Sequence, residues 1–267
     1  MTCGRWWVGY WMALLAVLLA RWVSGQDVRL NGQEQILLDP GPREQSKQGG
    51  LRVVGQSAGG LPIHCQEFGS GDDVLMVIAT IHGNEAAGTP LVARFAAWLR
   101  NHPEQLQGRK VVIVPVANPD GLAASERLNQ RGVDLNRNFP AGNWGAQDTK
   151  PHGEMPLSEP ESRVLMKLVC HYFPDRVVSI HQPLACIDYD GPARGLAEAM
   201  GAVCRLPVNK LGSRPGSLGS LVGVTLQRPI ITLELPGDAG MDGAKLWTTY
   251  GPALLVALRY SPTAAAE

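Results

Sequence analysis

No run of like charges stands out along the chain, and the formal charges cancel, with 24 lysines and arginines against 24 aspartates and glutamates. That balance removes the usual electrostatic ground for a nucleic-acid or membrane-surface role. Cysteine is scarce, 5 in 267 residues, and none has the close spacing of a zinc-thiolate site. Internal repeats and low-complexity segments are absent as well, so nothing points to a repeat architecture. What remains is ordinary globular material, 45% hydrophobic and 18% charged, enough for a full core and one main domain.

One apolar stretch does stand out, over residues 6–20. It is shorter than the roughly 20 residues that a membrane-spanning helix needs. Arg5 precedes it, and Val23, Ser24 and Gly25 supply small residues before Gln26, so residues 1–25 read as a secretory signal peptide; an uncleaved anchor is the alternative. The expected location is periplasmic or secreted. Removing the segment removes Cys3 and leaves Cys65, Cys170, Cys186 and Cys204, which an oxidising compartment can pair in three ways or which are simply buried thiols.

Residues 26–49 are polar and rich in Gln, Gly and Pro, and read as a linker or loosely packed lead-in. The folded domain is expected over residues 50–260, with 261–267 as a tail. Strands are predicted over 73–80, 110–116, 176–180 and 230–235, and His64 is placed on an edge strand. Helices are predicted over 86–99, 158–171 and 243–260, the second opened by a capping box of Ser158 and Glu161. This alternation predicts an α/β fold, a single-domain α/β/α sandwich on a mixed, largely parallel sheet. In such sheets ligands bind beyond the carboxyl ends of the strands. His82, Asn118, His181 and Glu234 all fall there. The long 139–156 loop is expected to form a rim.

In Thr80-Ile81-His82-Gly83-Asn84-Glu85 a strand ends, a glycine permits a tight turn and a helix begins. His82 and Glu85 are two of the three protein ligands that a catalytic zinc needs; a turn histidine beside a glutamate at a helix start is the other explanation. His181 is the candidate third ligand, because among the six histidines only it and His82 end buried strands. Arg127, Asn136 and Arg137 form a cluster of planar donors suited to an oxyanion and a carboxylate, or a solvated basic loop. Glu234, inside Ile230-Ile231-Thr232-Leu233-Glu234-Leu235, must be paired, neutralised or functional. A general base and a buried salt bridge are both open.

Together the ordered motifs His-x-x-Glu, Asn118-Pro119-Asp120-Gly121, Asp134-x-Asn136-Arg137-Asn138, His181 and Glu234 resemble the M14 zinc carboxypeptidase family. Further motifs, Gly132 to Pro140 and Ser179 to Pro183 leading to Cys186-Ile187-Asp188, resemble its branch acting on murein peptides. The resemblance implies a zinc metallopeptidase with one Zn2+ per chain on His82, Glu85 and His181, and Asp134 orienting a ligand histidine. It further implies Arg127 as oxyanion partner, Asn136 and Arg137 on a substrate carboxylate, and Glu234 as catalytic base. The implied partner is a murein tripeptide or related peptide with a free carboxylate, cut at the γ-D-glutamyl–meso-diaminopimelate bond.

Two features depart from that pattern. The family's substrate-covering tyrosine has no counterpart in 194–230, and Tyr189 is merely near in sequence. Export also differs from the cytoplasmic murein-recycling role of that branch. The alternatives are a general metallocarboxypeptidase, an N-acyl amino acid hydrolase of the aspartoacylase or succinylglutamate desuccinylase kind, or an inactive wall-peptide-binding protein.

Overall fold

The computed structural model describes residues 49–144 and 151–261. The expected signal peptide, nearly all of the lead-in, residues 145–150 of the long loop and the tail beyond 261 lie outside the described residues.

Among the described residues, seven strands form one sheet in the order β1-β2-β4-β3-β5-β7-β6. They are β1 (Leu51–Gln56), β2 (Pro62–Gly69), β3 (Asp73–Ala79), β4 (Arg109–Val114), β5 (Arg176–His181), β6 (Leu184–Asp190) and β7 (Ile230–Pro236). The parallel ladder is confined to β4, β3, β5 and β7; β1 and β2 on one side and β6 on the other are antiparallel. Helices α1 (Gly88–Asn101), α2 (Pro119–Ala124), α3 (Pro160–Tyr172), α4 (Arg194–Cys204) and α5 (Gly243–Arg259) complete the α/β sandwich.

Strand residues alternate between two cores, as the period of two requires. Leu75, Val77, Val111, Ile113, Val178, Ile180, Ile231 and Leu233 pack with α1, α4 and α5. Met76, Ile78, Val112, Val114 and Val177 pack with α3 and with Leu135 and Phe139 of the segment between α2 and α3. Fully burying one such side chain contributes about 1.5–3 kcal/mol, so each core is a large stabilising term.

Several local expectations change. His64 is not on an edge strand: β2 pairs with both β1 and β4, and β1 is the edge. Helix α1 begins at Gly88, two residues later than expected. The Ser158–Glu161 capping box does not form; Glu159 is the N-cap residue and makes no side-chain cap. Glu161 instead accepts the Ala58 amide at 2.9 Å, and Ser158 Oγ donates to Glu159. Long-range partners outcompete the local cap there. Cys65, Cys170, Cys186 and Cys204 are all free thiols.

Candidate active site

Strand β3 ends at Ala79, and the chain turns through Thr80 at φ +55°. A β-branched residue seldom occupies that left-handed region. The surroundings hold it there: Thr80 Oγ1 shares a 2.8 Å hydrogen bond with Thr89, and the Asn118 amide donates to the Thr80 carbonyl at 2.9 Å. His82 is thereby carried over the carboxyl edge of the sheet. Gly83 is needed for proximity, because a Cβ there would stand 1.9 Å from the Gly121 carbonyl carbon.

His82, Glu85 and His181 converge and are buried. His82 Nδ1 lies 2.8 Å from Glu85 Oε1, His181 Nδ1 lies 2.8 Å from Glu85 Oε2, and the two Nδ1 atoms are 3.2 Å apart. Each ring is held from behind. His82 Nε2 faces Asp134 Oδ1 at 3.1 Å, and His181 Nε2 faces Ser179 Oγ at 3.0 Å. With Nε2 carrying the hydrogen, both Nδ1 lone pairs aim at one point. Ligand atoms all within 4.8 Å of one another, from two imidazoles and a carboxylate, match the catalytic zinc donor set with a fourth position open. The residues fit such an ion.

The electrostatics follow from the crowding. Burial opposes charge on His82, but hydrogen bonds to Asp134 and Glu85 outweigh it and raise its pKa. Burial also opposes charge on Glu85, yet the hydrogen bonds from His181 and His82 hold its carboxyl well below the usual range. Asp134 is depressed in the same way, against its burial, by His82, Arg127 and Arg137. Glu234 goes the other way: burial pushes its carboxyl up, and His181 offsets this only in part.

Every proposed site residue borders this cluster. Arg127 NH1 donates to Glu85 Oε1 at 3.0 Å, while its Nε and NH2 donate to Asp134 Oδ2 at 3.2 and 3.0 Å. Glu234 stands directly opposite His181 in the β5–β7 ladder, and its Oε2 accepts the Leu184 amide at 3.4 Å. Asn136 and Arg137 follow Asp134 in a short 3-10 turn; Asn136 Oδ1 accepts the Leu218 amide at 2.9 Å. Asn118, also expected at the strand ends, has a supporting position: Oδ1 caps α2 through the Gly121 amide, and Nδ2 reaches the Arg127 carbonyl.

Two supporting residues escaped the sequence reading. Ser179 had a usable signal, since two residues before His181 on a strand means the same face. Gln182 had none; its backbone amide donates to Glu85 Oε2 at 3.2 Å because of how β5 leaves the sheet. Tyr189 packs against the core on the α1, α4 and α5 face, away from Glu234, so it does not cover this site.

Two histidines and a glutamate at the carboxyl ends of a mixed sheet, with a strand-borne carboxylate beside them, define a metallopeptidase. The chain belongs to the M14 zinc carboxypeptidase family, whose model matches residues 44–189. It is 36% identical over 177 residues to murein peptide amidase A of Escherichia coli K12, covering 60% of this chain and 70% of that protein. The corresponding protein of Vibrio campbellii is 33% identical, over 60% and 68%. The crystal structure of murein-tripeptide amidase from Escherichia coli O157 superposes with a TM-score of 0.63 at 30% identity, covering 80% of this chain and 93% of that one. Bovine thrombin-activatable fibrinolysis inhibitor, at 18% identity and a TM-score of 0.66, shares the fold over 78% of this chain and 88% of that one. The family match ends before β7, so the place of Glu234 rests on the sheet register.

Proposed function

We propose that this metallopeptidase is a zinc-dependent amidase that hydrolyses the γ-D-glutamyl–meso-diaminopimelate bond of murein peptides. The observation that carries the reading is Glu234 set directly across the ladder from His181, the strand-borne member of the His82–Glu85–His181 cluster. Similarity to murein peptide amidase A supports the choice of substrate.

His82, Glu85 and His181 would hold the zinc, which when bound acts as a Lewis acid and lowers the pKa of water to about 7. Asp134 keeps the His82 ring in the tautomer that leaves Nδ1 free. Glu234, raised by burial, takes a proton from the attacking water and returns it to the leaving amine. Arg127 meets the charge that develops on the scissile carbonyl oxygen; to do so its NH1 exchanges the Glu85 contact for substrate, while Nε and NH2 keep Asp134. Asn136 and Arg137 hold the carboxylate of the leaving residue.

Arg5 and the apolar 6–20 stretch support work outside the cytoplasm, in the periplasm or after secretion. Incubation with L-alanyl-γ-D-glutamyl-meso-diaminopimelate is expected to release free diaminopimelate, to stop on chelation, and to resume when zinc is restored. A zinc-loaded protein that leaves this peptide intact overturns the reading, and turnover of N-acyl amino acids instead replaces it.

A further inference from the structure

Among the buried acids that the catalytic roles leave unused, Asp188 stands on the strand next to Glu234. Asp188 is 7% exposed, and one of its oxygens accepts the Leu211 amide at 2.8 Å; it forms no ion pair with any described residue. Its position follows from register. Asp188 pairs with Thr232, which pairs in turn with Ser179; Cys186 pairs with Glu234, which pairs with His181. Directly opposed residues share a face, as do residues two apart on one strand. Asp188 therefore stands on the catalytic face one row below Glu234, roughly 7 Å along the strand at about 3.4 Å per residue.

Its neighbour on that face, Asp190, is closed in by neighbouring backbone. The Ser213 hydroxyl donates to Asp190, and the Gly219 backbone lies so close that a Cβ there would stand 2.4 Å from Asp190 Oδ2. Asp188 has no such closure. The 211–218 segment that supplies the Leu211 amide also carries the exposed Arg214, whose positive charge reaches the Asp188 carboxylate. That segment is fastened to the proposed carboxylate grip: the Leu218 amide donates to Asn136 Oδ1, and the Phe139 amide donates to the Gly216 carbonyl at 2.9 Å. The segment that carries Arg214 is thus bonded to both Asp188 and Asn136, and Asp188 shares its face of the sheet with Glu234.

We propose that Asp188 and Arg214 select the leaving residue by its side chain, Asp188 taking an ammonium group and Arg214 a carboxylate carried on the same terminal carbon. This rests on the amidase reading and names the specificity device of that site. The length agrees. Four carbon–carbon bonds of ~1.5 Å, bent at tetrahedral angles, carry diaminopimelate from its reacting centre to its distal carbon over about 5 Å, and the ammonium lies one bond further. An apolar side chain of equal length would leave the Asp188 carboxylate buried against hydrocarbon, which is strongly unfavourable.

The test compares three γ-linked tripeptides, L-alanyl-γ-D-glutamyl followed by meso-diaminopimelate, lysine or norleucine, on zinc-loaded wild type, Asp188→Asn and Arg214→Ala. Wild type is expected to rank them in that order. Asp188→Asn, which keeps the Leu211 bond, should lower kcat/KM for the diaminopimelate and lysine peptides relative to norleucine by roughly 100-fold, mainly through KM. Arg214→Ala, on an exposed loop, should bring diaminopimelate down to the level of lysine, about tenfold, with the lysine-to-norleucine ratio unchanged.

An equal loss on all three peptides in Asp188→Asn makes the residue a structural strut and overturns the proposal. So does an unaltered ratio. If wild type cleaves none of the γ-linked peptides, the amidase reading fails, and the selectivity is read instead on α-linked N-acyl dipeptides ending in lysine or norleucine. A lysine preference that disappears in Asp188→Asn then sustains the inference, and no lysine preference in wild type overturns it.

Discussion

On the face of the sheet covered by α1, α4 and α5, β5, β7 and β6 present the buried apolar residues Val178, Ile180, Ile231, Leu233 and Ile187, and the one charge there, Arg176 at the start of β5, is spent on the Ala257 and Leu258 carbonyls of α5. On the opposite face the same three strands present Ser179, His181, Thr232, Glu234, Cys186 and Asp188. At β3 and β4 that second face is as apolar as the first, with Met76, Ile78, Val112 and Val114. Polarity therefore enters by position along the sheet and by parity along each strand. A strand with period two can be half core and half active site, so Leu233 and Glu234, adjacent in sequence, serve opposite purposes.

Substitutions that separate the two faces put this to the test. Glu234→Gln should lower kcat by about 10²–10⁴-fold with an unchanged melting temperature and full metal content, since a general base contributes on that scale. Hydrolysis within a factor of a few of wild type would remove Glu234 from the mechanism. Its neighbour should behave in reverse. Leu233→Ala is expected to lose about 2–5 kcal/mol of stability, read by denaturant unfolding, while the folded fraction keeps its kcat. A large kcat defect there would show that the two faces are coupled.

Asp134→Asn tests whether the catalytic face is organised behind its ligands. Metal affinity is expected to fall about 10–100-fold, by competition with a chelating dye, because the His82 ring loses the partner that fixes its tautomer. Unchanged affinity would mean that Glu85 alone orients His82. The smallest effect is at Cys65 on β2, in the apolar part of the same face, where burial pushes the thiol up to about 12. At pH 8 it should alkylate more than about tenfold slower than a free peptide thiol. Rapid labelling would show that the β1–β2 end opens, unlike the central strands.

Much of this was legible beforehand, and the reasons are specific. The strands β3, β4, β5 and β7 are runs of β-branched and apolar residues bounded by polar turns, a pattern that sidedness does not obscure. His82, His181 and Glu234 stood out because each is a polar side chain ending or interrupting such a run. Strands β1, β2 and β6 were harder, since they carry Gln, His, Asp and Tyr among few long apolar runs. The Ser158 cap failed because Glu161 found the Ala58 amide far away in sequence, a competitor that no local pattern contains.

The sequence by itself determined the α/β alternation, the strand-end placement of the chemistry-bearing residues and the M14 resemblance, because periodicity and motif spacing are local properties. Only the tertiary structure decided that each carboxylate oxygen of Glu85 lies beside a different histidine, and that Ser179 and Asp134 hold the rings from behind. It alone placed Asp188 one row beneath Glu234. These depend on which strands become neighbours and in what register, and pairing across the sheet is settled by burial of the whole chain, not by any segment of it.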